Sequence, residues 1–178
     1  NNKRIQEWNS KDLSKLPIYE PGLAEIVKRC RGSNLHFSIE IEKNIKNADM
    51  IFISVNTPTK KDGIGAGKAS DLTFIEKAAR EIAKFSDSHT IIVEKSTLPV
   101  RTADTIKQIL KSSKNNLDKS LGNTSTFDVL SNPEFLAEGS AINDLNDPDR
   151  ILIGGESHEA INSLKEIYLN WVSPSKII

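Results

Sequence analysis

The residues best equipped for chemistry lie in Ser131-Asn132-Pro133-Glu134-Phe135-Leu136-Ala137-Glu138-Gly139, directly after the short run Phe127-Asp128-Val129-Leu130. Carboxylates at 134 and 138 stand at i and i+4. They therefore project toward one side from a single loop or first helical turn. The same pair also fits a plain helix start, where acids sit near the positive end of the dipole. Two other strand-like runs pass into polar, proline-containing loops, Val55-Asn56-Thr57-Pro58-Thr59 and Glu94-Lys95-Ser96-Thr97-Leu98-Pro99. The first offers backbone N–H groups, an amide and two hydroxyls, which can hydrogen-bond a ribose or phosphate without a charge of their own. Ser96 and Thr97 add hydroxyls, and a hydroxyl converging with a carboxylate can hold a water and take its proton. The pattern describes a nucleotide or dinucleotide site with a water-activating acid. Ser96, Thr97, Thr57 and Thr59 would otherwise serve as caps and turn residues only.

Those loops need a sheet to bring them together. Asp49 to Val55 is nearly all apolar, which implies cover on both faces and a central parallel strand. Thr90-Ile91-Ile92-Val93 reads the same way. Leu35 to Ile39 alternates as a half-buried strand, and Arg150 to Gly155 reads as a last short strand after the Asp147-Pro148-Asp149 turn. Strands are thus expected near 35–39, 49–55, 89–94, 127–131 and 150–154. Between them lie helical patterns. Asn1 to Asn9 buries Ile5 and Trp8, and Gly22 to Cys30 buries Leu23, Ile26 and Val27. Ile41 to Asn47 is a short helix, and Leu72 to Phe85, capped by Asp71, packs through Ile75, Ala78, Ala79 and Ile82. A fifth helix runs from Pro99 to about Lys111, and His158 to Val172 presents Ile161, Leu164, Ile167, Tyr168 and Trp171. Strand–helix alternation predicts an α/β, doubly wound, mainly parallel sheet with right-handed crossovers and all three polar loops on one edge.

The glycine-rich run from Lys60 to Lys68 follows a loop rather than a strand and lacks Gly-Lys-Ser/Thr, so it matches neither phosphate-binding fingerprint. It reads as a surface loop. Ser112 to Thr126 is polar, with Lys, Asn, Ser and Gly predominating, and reads as a long flexible insertion.

The chain has 178 residues, enough for one domain with a core. Lys plus Arg and Asp plus Glu number 24 each, which leaves no net field to attract nucleic acid or an anionic surface. No run approaches the ~20 apolar residues of a membrane span. The single cysteine, Cys30, excludes an internal disulfide and a cysteine-rich metal site. It suits the reducing cytoplasm and, at a helix end, is read as inert. No metal is expected.

Leu16-Pro17-Ile18-Tyr19-Glu20-Pro21-Gly22-Leu23, Phe52 to Thr59, Val93 to Arg101, Leu130 to Gly139 and Asn146 to Gly155 occur in the order seen in the UDP-glucose/GDP-mannose dehydrogenase family, and the chain resembles its UDP-glucose 6-dehydrogenases. The resemblance covers almost everything except Ser112 to Thr126. It implies a Rossmann-like fold and NAD-dependent, two-step oxidation of UDP-glucose to UDP-glucuronate. It assigns Glu134 as catalytic acid/base and Thr97 as its partner in positioning water. Glu134, Phe135, Leu136, Ala137 and Glu138 would meet the sugar nucleotide. Arg4, Val55, Asn56, Thr57, Pro58, Thr59, Ser96, Thr97, Leu98 and Glu138 would meet NAD. By the same resemblance residues 1–178 form a single NAD-binding domain without its first β-α-β unit. The Gly-rich turn would lie upstream of Asn1. The nucleophilic cysteine, the central linking helix and the UDP-binding domain would lie beyond Ile178, and the full-length enzyme would be a homo-oligomer. Another nucleotide-sugar dehydrogenase, for GDP-mannose or a UDP-N-acetylhexosamine, and a nucleotide-binding module without turnover are the alternatives.

Overall fold

The computed structural model describes residues 1–64, 66–96, 102–116 and 125–178, with 113–116 by backbone alone. It contains two compact units, residues 1–41 with 135–149 and residues 42–134 with 150–178.

The larger unit is built on a three-stranded parallel sheet, β1 (Met50–Ile53), β2 (His89–Glu94) and β3 (Thr126–Ser131), in sequence order. Met50 pairs with Ile91 and Ile53 with Glu94, while His89 pairs with Thr126 and Glu94 with Ser131. The central strand is β2, not the Asp49 to Val55 run that the sequence suggested. All of β2 except His89 is buried, whereas Phe52 of β1 is 43% exposed.

Alternation along β2 sends its side chains to two cores. Ile92 packs with Ile75, Ala79 and Ile82 of α4 (Thr73–Phe85) and with Ile106, Ile109 and Leu110 of α5 (Thr102–Asn116). Ile45 of α3 (Ile41–Lys46) joins that cluster. Ile91 and Val93 pack on the other face with Leu130 and with Ala160, Leu164 and Tyr168 of α7 (His158–Tyr168). Helices therefore cover both faces of β2. The hydroxyl of its buried Thr90 is satisfied by Ser86 at 2.8 Å. Asp71 is not the N-cap of α4, a place that Leu72 takes without a side-chain cap bond; from one residue earlier it accepts from the Thr73 N–H at 3.0 Å and hydroxyl at 2.6 Å.

Residues 150–154 form no strand. They make single bridges, Ser131 with Gly154 antiparallel and Ile151 with Ile177 parallel. Pro133 ends β3 without an N–H to extend a ladder. Instead the Asn132 side chain takes the Leu152 carbonyl, its Nδ2 donating at 2.7 Å. Ser112 to Asn116, expected as loop, extends α5, and Thr126 opens β3. The last long helix ends at Tyr168, and Ile167 and Trp171 stand exposed outside its core face. The glycine-rich run is flanked by paired backbone: Thr59 bridges Ser70, and the Lys60 N–H donates to the Ala69 carbonyl at 2.7 Å.

The smaller unit holds α1 (Asn2–Trp8), α2 (Leu23–Cys30) and α6 (Ala141–Asn146). Its Leu35 to Ile39 segment is not the expected strand, making only one bridge, Arg31 with Leu35. Its alternation serves another purpose. Phe37 stacks on Trp8 with centroids 4.8 Å apart, and the Asn9 side chain donates to the Phe37 carbonyl at 2.9 Å.

Candidate active site at the sheet edge

Because β1, β2 and β3 are parallel, with Ile53, Glu94 and Ser131 in register, the chain leaves all three at one edge. Val55 to Thr59, Lys95-Ser96 and Asn132 to Glu134 start there, as the sequence pattern required. Thr97 and Leu98 lie outside the described residues.

Ser96 ties the first loop to the second. Its Oγ accepts from the Val55 N–H at 3.2 Å and donates to the Val55 carbonyl at 2.9 Å. The Lys95 N–H donates to the Ile53 carbonyl at 3.0 Å. Farther along, the Asp71 N–H fixes the Pro58 carbonyl at 2.7 Å. Asn56 and Thr59 are exposed, and Thr57 is half-buried. Ser96 is thus a structural tie as well as a candidate contact, and its hydroxyl is already engaged.

Asn132 ties the second loop to the third. It is fully buried, its N–H donates to the Glu94 carbonyl at 2.8 Å, and its Nδ2 holds Leu152. Its Oδ1 accepts from the Tyr168 hydroxyl at 2.6 Å and from Lys95 Nζ at 3.3 Å, while Lys95 Nζ also reaches the Tyr168 hydroxyl at 3.3 Å. Burial lowers the titration of Lys95, opposed by the negative charges of Glu134 and Glu94. Tyr168 is pushed up, first by burial and further by Glu134, while its bond to Asn132 works against this. Glu134 itself is exposed and follows Pro133 on irregular backbone.

Glu94 is the buried acid of this edge, 4% exposed, with Oε1 lacking a hydrogen-bond partner and Oε2 accepting from the Ser131 hydroxyl at 3.4 Å. Burial raises its pKa to about 7 against the weaker pull of Ser131, Lys95 and the Ser96 N–H.

In the smaller unit, Phe135, Leu136, Ala137 and Glu138 are all exposed. They are not on a helix, so the helical-turn reading of the two carboxylates is set aside: Asn132 to Gly139 precedes α6 as irregular backbone and a turn. Two other carboxylates hold it. Asp144 accepts from the Ala137 N–H at 3.0 Å and the Ser140 hydroxyl at 2.9 Å. Glu20 accepts from the N–H groups of Gly139 at 2.9 Å and Ala141 at 2.7 Å. Gly139 has φ +87°, a conformation that a side chain would strain. The Ala137 N–H is therefore engaged. Arg4 lies exposed on α1 of this unit, and Cys30 is half-buried at the end of α2.

Sequence reasoning left out Lys95, Asn132 and Tyr168 as a group, and Glu20 and Asp144 as clamps. Lys95 and Asn132 stood within the quoted motifs. Tyr168, 73 positions from Lys95, carried only a core-face signal. Among the described residues no group of His, Cys, Asp and Glu could hold a metal ion, and no helix is long and apolar enough to cross a membrane.

A parallel sheet covered on both faces, with amides, hydroxyls and a carboxylate gathered at its strand ends, defines a nucleotide-binding α/β domain. The chain belongs to the UDP-glucose/GDP-mannose dehydrogenase family, and residues 1–172 match the family's NAD binding domain. It is 55% identical to UDP-glucose 6-dehydrogenase 4 of Arabidopsis thaliana, over 98% of this chain and 35% of that protein. The UDP-glucose dehydrogenase of Pyrobaculum islandicum superposes with a TM-score of 0.80 at 29% identity, over 100% of this chain and 39% of that one. The GDP-mannose dehydrogenase of Pseudomonas aeruginosa does so with 0.81 at 28%, over 100% and 38%. The chain thus spans about a third of the length of the curated relatives it matches.

Proposed function

We propose that this chain is the NAD-binding part of a UDP-glucose 6-dehydrogenase, an enzyme that oxidises UDP-glucose to UDP-glucuronate in two steps. The observation that carries the reading is the 55% identity to a plant UDP-glucose 6-dehydrogenase over nearly the whole chain. The sheet is then the second half of a Rossmann-like doubly wound domain.

The donor set at the edge suits NAD. Exposed Asn56 and Thr59, with the backbone around them, are neutral partners for ribose hydroxyls and an amide. Bound there, NAD would accept hydride from the sugar carbon. Arg4, Val55, Thr57, Pro58, Ser96, Thr97, Leu98 and Glu138 complete the cofactor set. Phe135 to Glu138 serve the sugar nucleotide, although the Ala137 backbone is already held at both ends, its N–H by Asp144 and its carbonyl by the Ser140 N–H at 3.2 Å. Glu134 is the general base: it holds a water, takes its proton, and releases the product acid from the covalent thioester on a cysteine outside this chain. Thr97 steadies that water. The complete enzyme works as a homo-oligomer.

The test is a chimera in which residues 1–178 replace the corresponding third of the Arabidopsis thaliana enzyme. With UDP-glucose and NAD it should make UDP-glucuronate. Its Glu134→Gln variant should slow roughly 10²–10⁴-fold, and a sugar-nucleotide adduct should accumulate in intact-protein mass spectrometry. Wild-type turnover by Glu134→Gln, with no adduct, would reduce Glu134 to a loop residue. Turnover of GDP-mannose in place of UDP-glucose would redirect the substrate.

A further inference from the structure

We propose that Tyr168 and Asn132 are positioning residues for Glu134: the phenol, through the Asn132 amide, fixes the end of β3 from which Pro133 carries the Glu134 carboxylate. The inference rests on Glu134 being the base of the site, as read above.

Asn132 is fully buried and held at three atoms. Its N–H donates to the Glu94 carbonyl at 2.8 Å, its Nδ2 donates to the Leu152 carbonyl at 2.7 Å, and its Oδ1 accepts from the Tyr168 hydroxyl at 2.6 Å. The first bond sets the peptide plane that enters residue 132. The other two set the side-chain torsions, since an amide engaged at both nitrogen and oxygen can neither turn nor flip. Ser131, one residue earlier, exchanges two backbone bonds with Gly154, each 2.8 Å. The strand end is therefore fixed as a body.

Only Pro133 separates it from the acid. The proline ring holds its φ near −65°, and a residue ahead of proline is confined to extended backbone. Two residues of chain also limit reach, so the Glu134 Cα lies within about 7 Å of the Asn132 Cα. Glu134 is exposed and outside any helix or strand. Its placement comes from this short stem.

Tyr168 roots the stem in the core. It is 4% exposed, packs with Ala160 and Leu164 of its own helix, and meets the Trp171 ring at 5.4 Å. Its hydroxyl accepts from Lys95 Nζ at 3.3 Å while donating to Asn132, and Lys95 reaches Asn132 Oδ1 at the same distance. Stopping the strand does not require any of this, because Pro133 alone does so. A buried amide and phenol that satisfy each other select one backbone arrangement, where apolar side chains would tolerate several. A base needs that precision: catalytic groups work within about 0.5 Å of their productive place, and a misplacement of about 1 Å costs roughly 10²-fold.

In the chimera, Tyr168→Phe should lower kcat roughly 10-fold and Asn132→Ser roughly 10²-fold, with KM for UDP-glucose and for NAD little changed. The sugar-nucleotide adduct should accumulate in both, as in Glu134→Gln, because the slowed step is the one that uses the base. Tyr168→Phe combined with Glu134→Gln should be no slower than Glu134→Gln alone, since the phenol acts through that carboxylate. Wild-type kcat in Tyr168→Phe, a fall in kcat without adduct, or a double variant slower by the full Tyr168→Phe factor each overturns the proposal. A second measurement needs no turnover. By NMR of the 178-residue chain, the Glu134 amide should have an order parameter near ~0.85, like the strand behind it, and Tyr168→Phe should lower it toward about 0.6. An unsubstituted value already below about 0.6 overturns the proposal even where the variants do not fold. If the unsubstituted chimera is inactive, NMR decides alone. A rigid Glu134 loosened by Tyr168→Phe would then sink the dehydrogenase reading and leave the positioning standing, and a Glu134 amide that Tyr168→Phe does not move would overturn it.

Discussion

The Glu20 carboxylate accepts a hydrogen bond from the Ala141 N–H at 2.7 Å, across 121 residues of sequence. Its other oxygen takes the Gly139 N–H at 2.9 Å. Ala141 opens α6, so one acid satisfies an orphan donor at a helix start and fixes the turn that leads into it. This ties the Leu16 to Leu23 motif to the Leu130 to Gly139 motif, two of the segments on which the family resemblance rests.

Both oxygens of Glu20 act as acceptors, which an amide cannot reproduce. Glu20→Gln would turn an NH2 group toward one of the two N–H donors. It should cost about 1–2 kcal/mol, close to Glu20→Ala, because hydrogen bonds to a charged group are worth roughly 1.5–3 kcal/mol and this one is only half-buried. Urea denaturation checks the stability. Hydrogen exchange checks the place, with faster exchange expected at Gly139 and Ala141 and little change in β2.

Such ties explain what could be read from the chain and what could not. Thr90 to Val93 was legible as a buried strand because a short β-branched run has few other uses, and the α4 stripe was legible from its spacing. Leu35 to Ile39 misled because period-two alternation suits any extended segment, including one whose Phe37 stacks on a helix tryptophan. Arg150 to Gly154 has strand composition, but pairing depends on what lies beside it, and there an asparagine side chain takes the carbonyl. Ser112 to Asn116 looked like loop because it is polar, yet it continues a helix already nucleated by the buried turns before it. At the site, the candidate loops were legible because parallel strands deliver their ends to one edge. The Lys95, Asn132 and Tyr168 junction was not, since it joins an ammonium, an amide and a phenol from three elements with no spacing rule between them.

Tyr168→Phe isolates one bond of that junction. The ring stays in its core, and Asn132 Oδ1 loses the 2.6 Å donor while keeping the longer contact to Lys95. A buried acceptor left partly satisfied should cost about 1–2 kcal/mol. Thermal or urea unfolding measures it, and a loss below a few tenths would mean that water replaces the phenol.

Gly155 is required by close approach. A Cβ there would run into Leu130 Cδ2 and come within 3.5 Å of Ile161 Cγ1. Leu130 is fully buried in the α7 core, so its side chain has little room to turn aside. Gly155→Ala should destabilise the chain by about 1–3 kcal/mol. Gly154→Ala serves as control, because its Cβ would meet Ser131 only at 3.9 Å, an ordinary contact.

Glu94 makes stability depend on pH in the direction opposite to a salt-bridged acid. Burial raises its pKa from 4.5 to about 7 in the folded chain, so between those values the native state binds a proton that the unfolded state has lost. Stability contributed by this group is complete below about pH 4.5, falls as pH rises toward 7, and is level above it. The full span is on the order of 3 kcal/mol from a shift of this size. Glutamine does not titrate. Glu94→Gln should therefore gain on the unsubstituted chain as pH rises from 5 through about 7 and then hold its lead to pH 8, whatever its offset at pH 5. Urea midpoints at half-unit steps across that range give the difference curve. A flat curve would mean that the buried carboxyl ionises freely and that Oε1 finds a partner when it does.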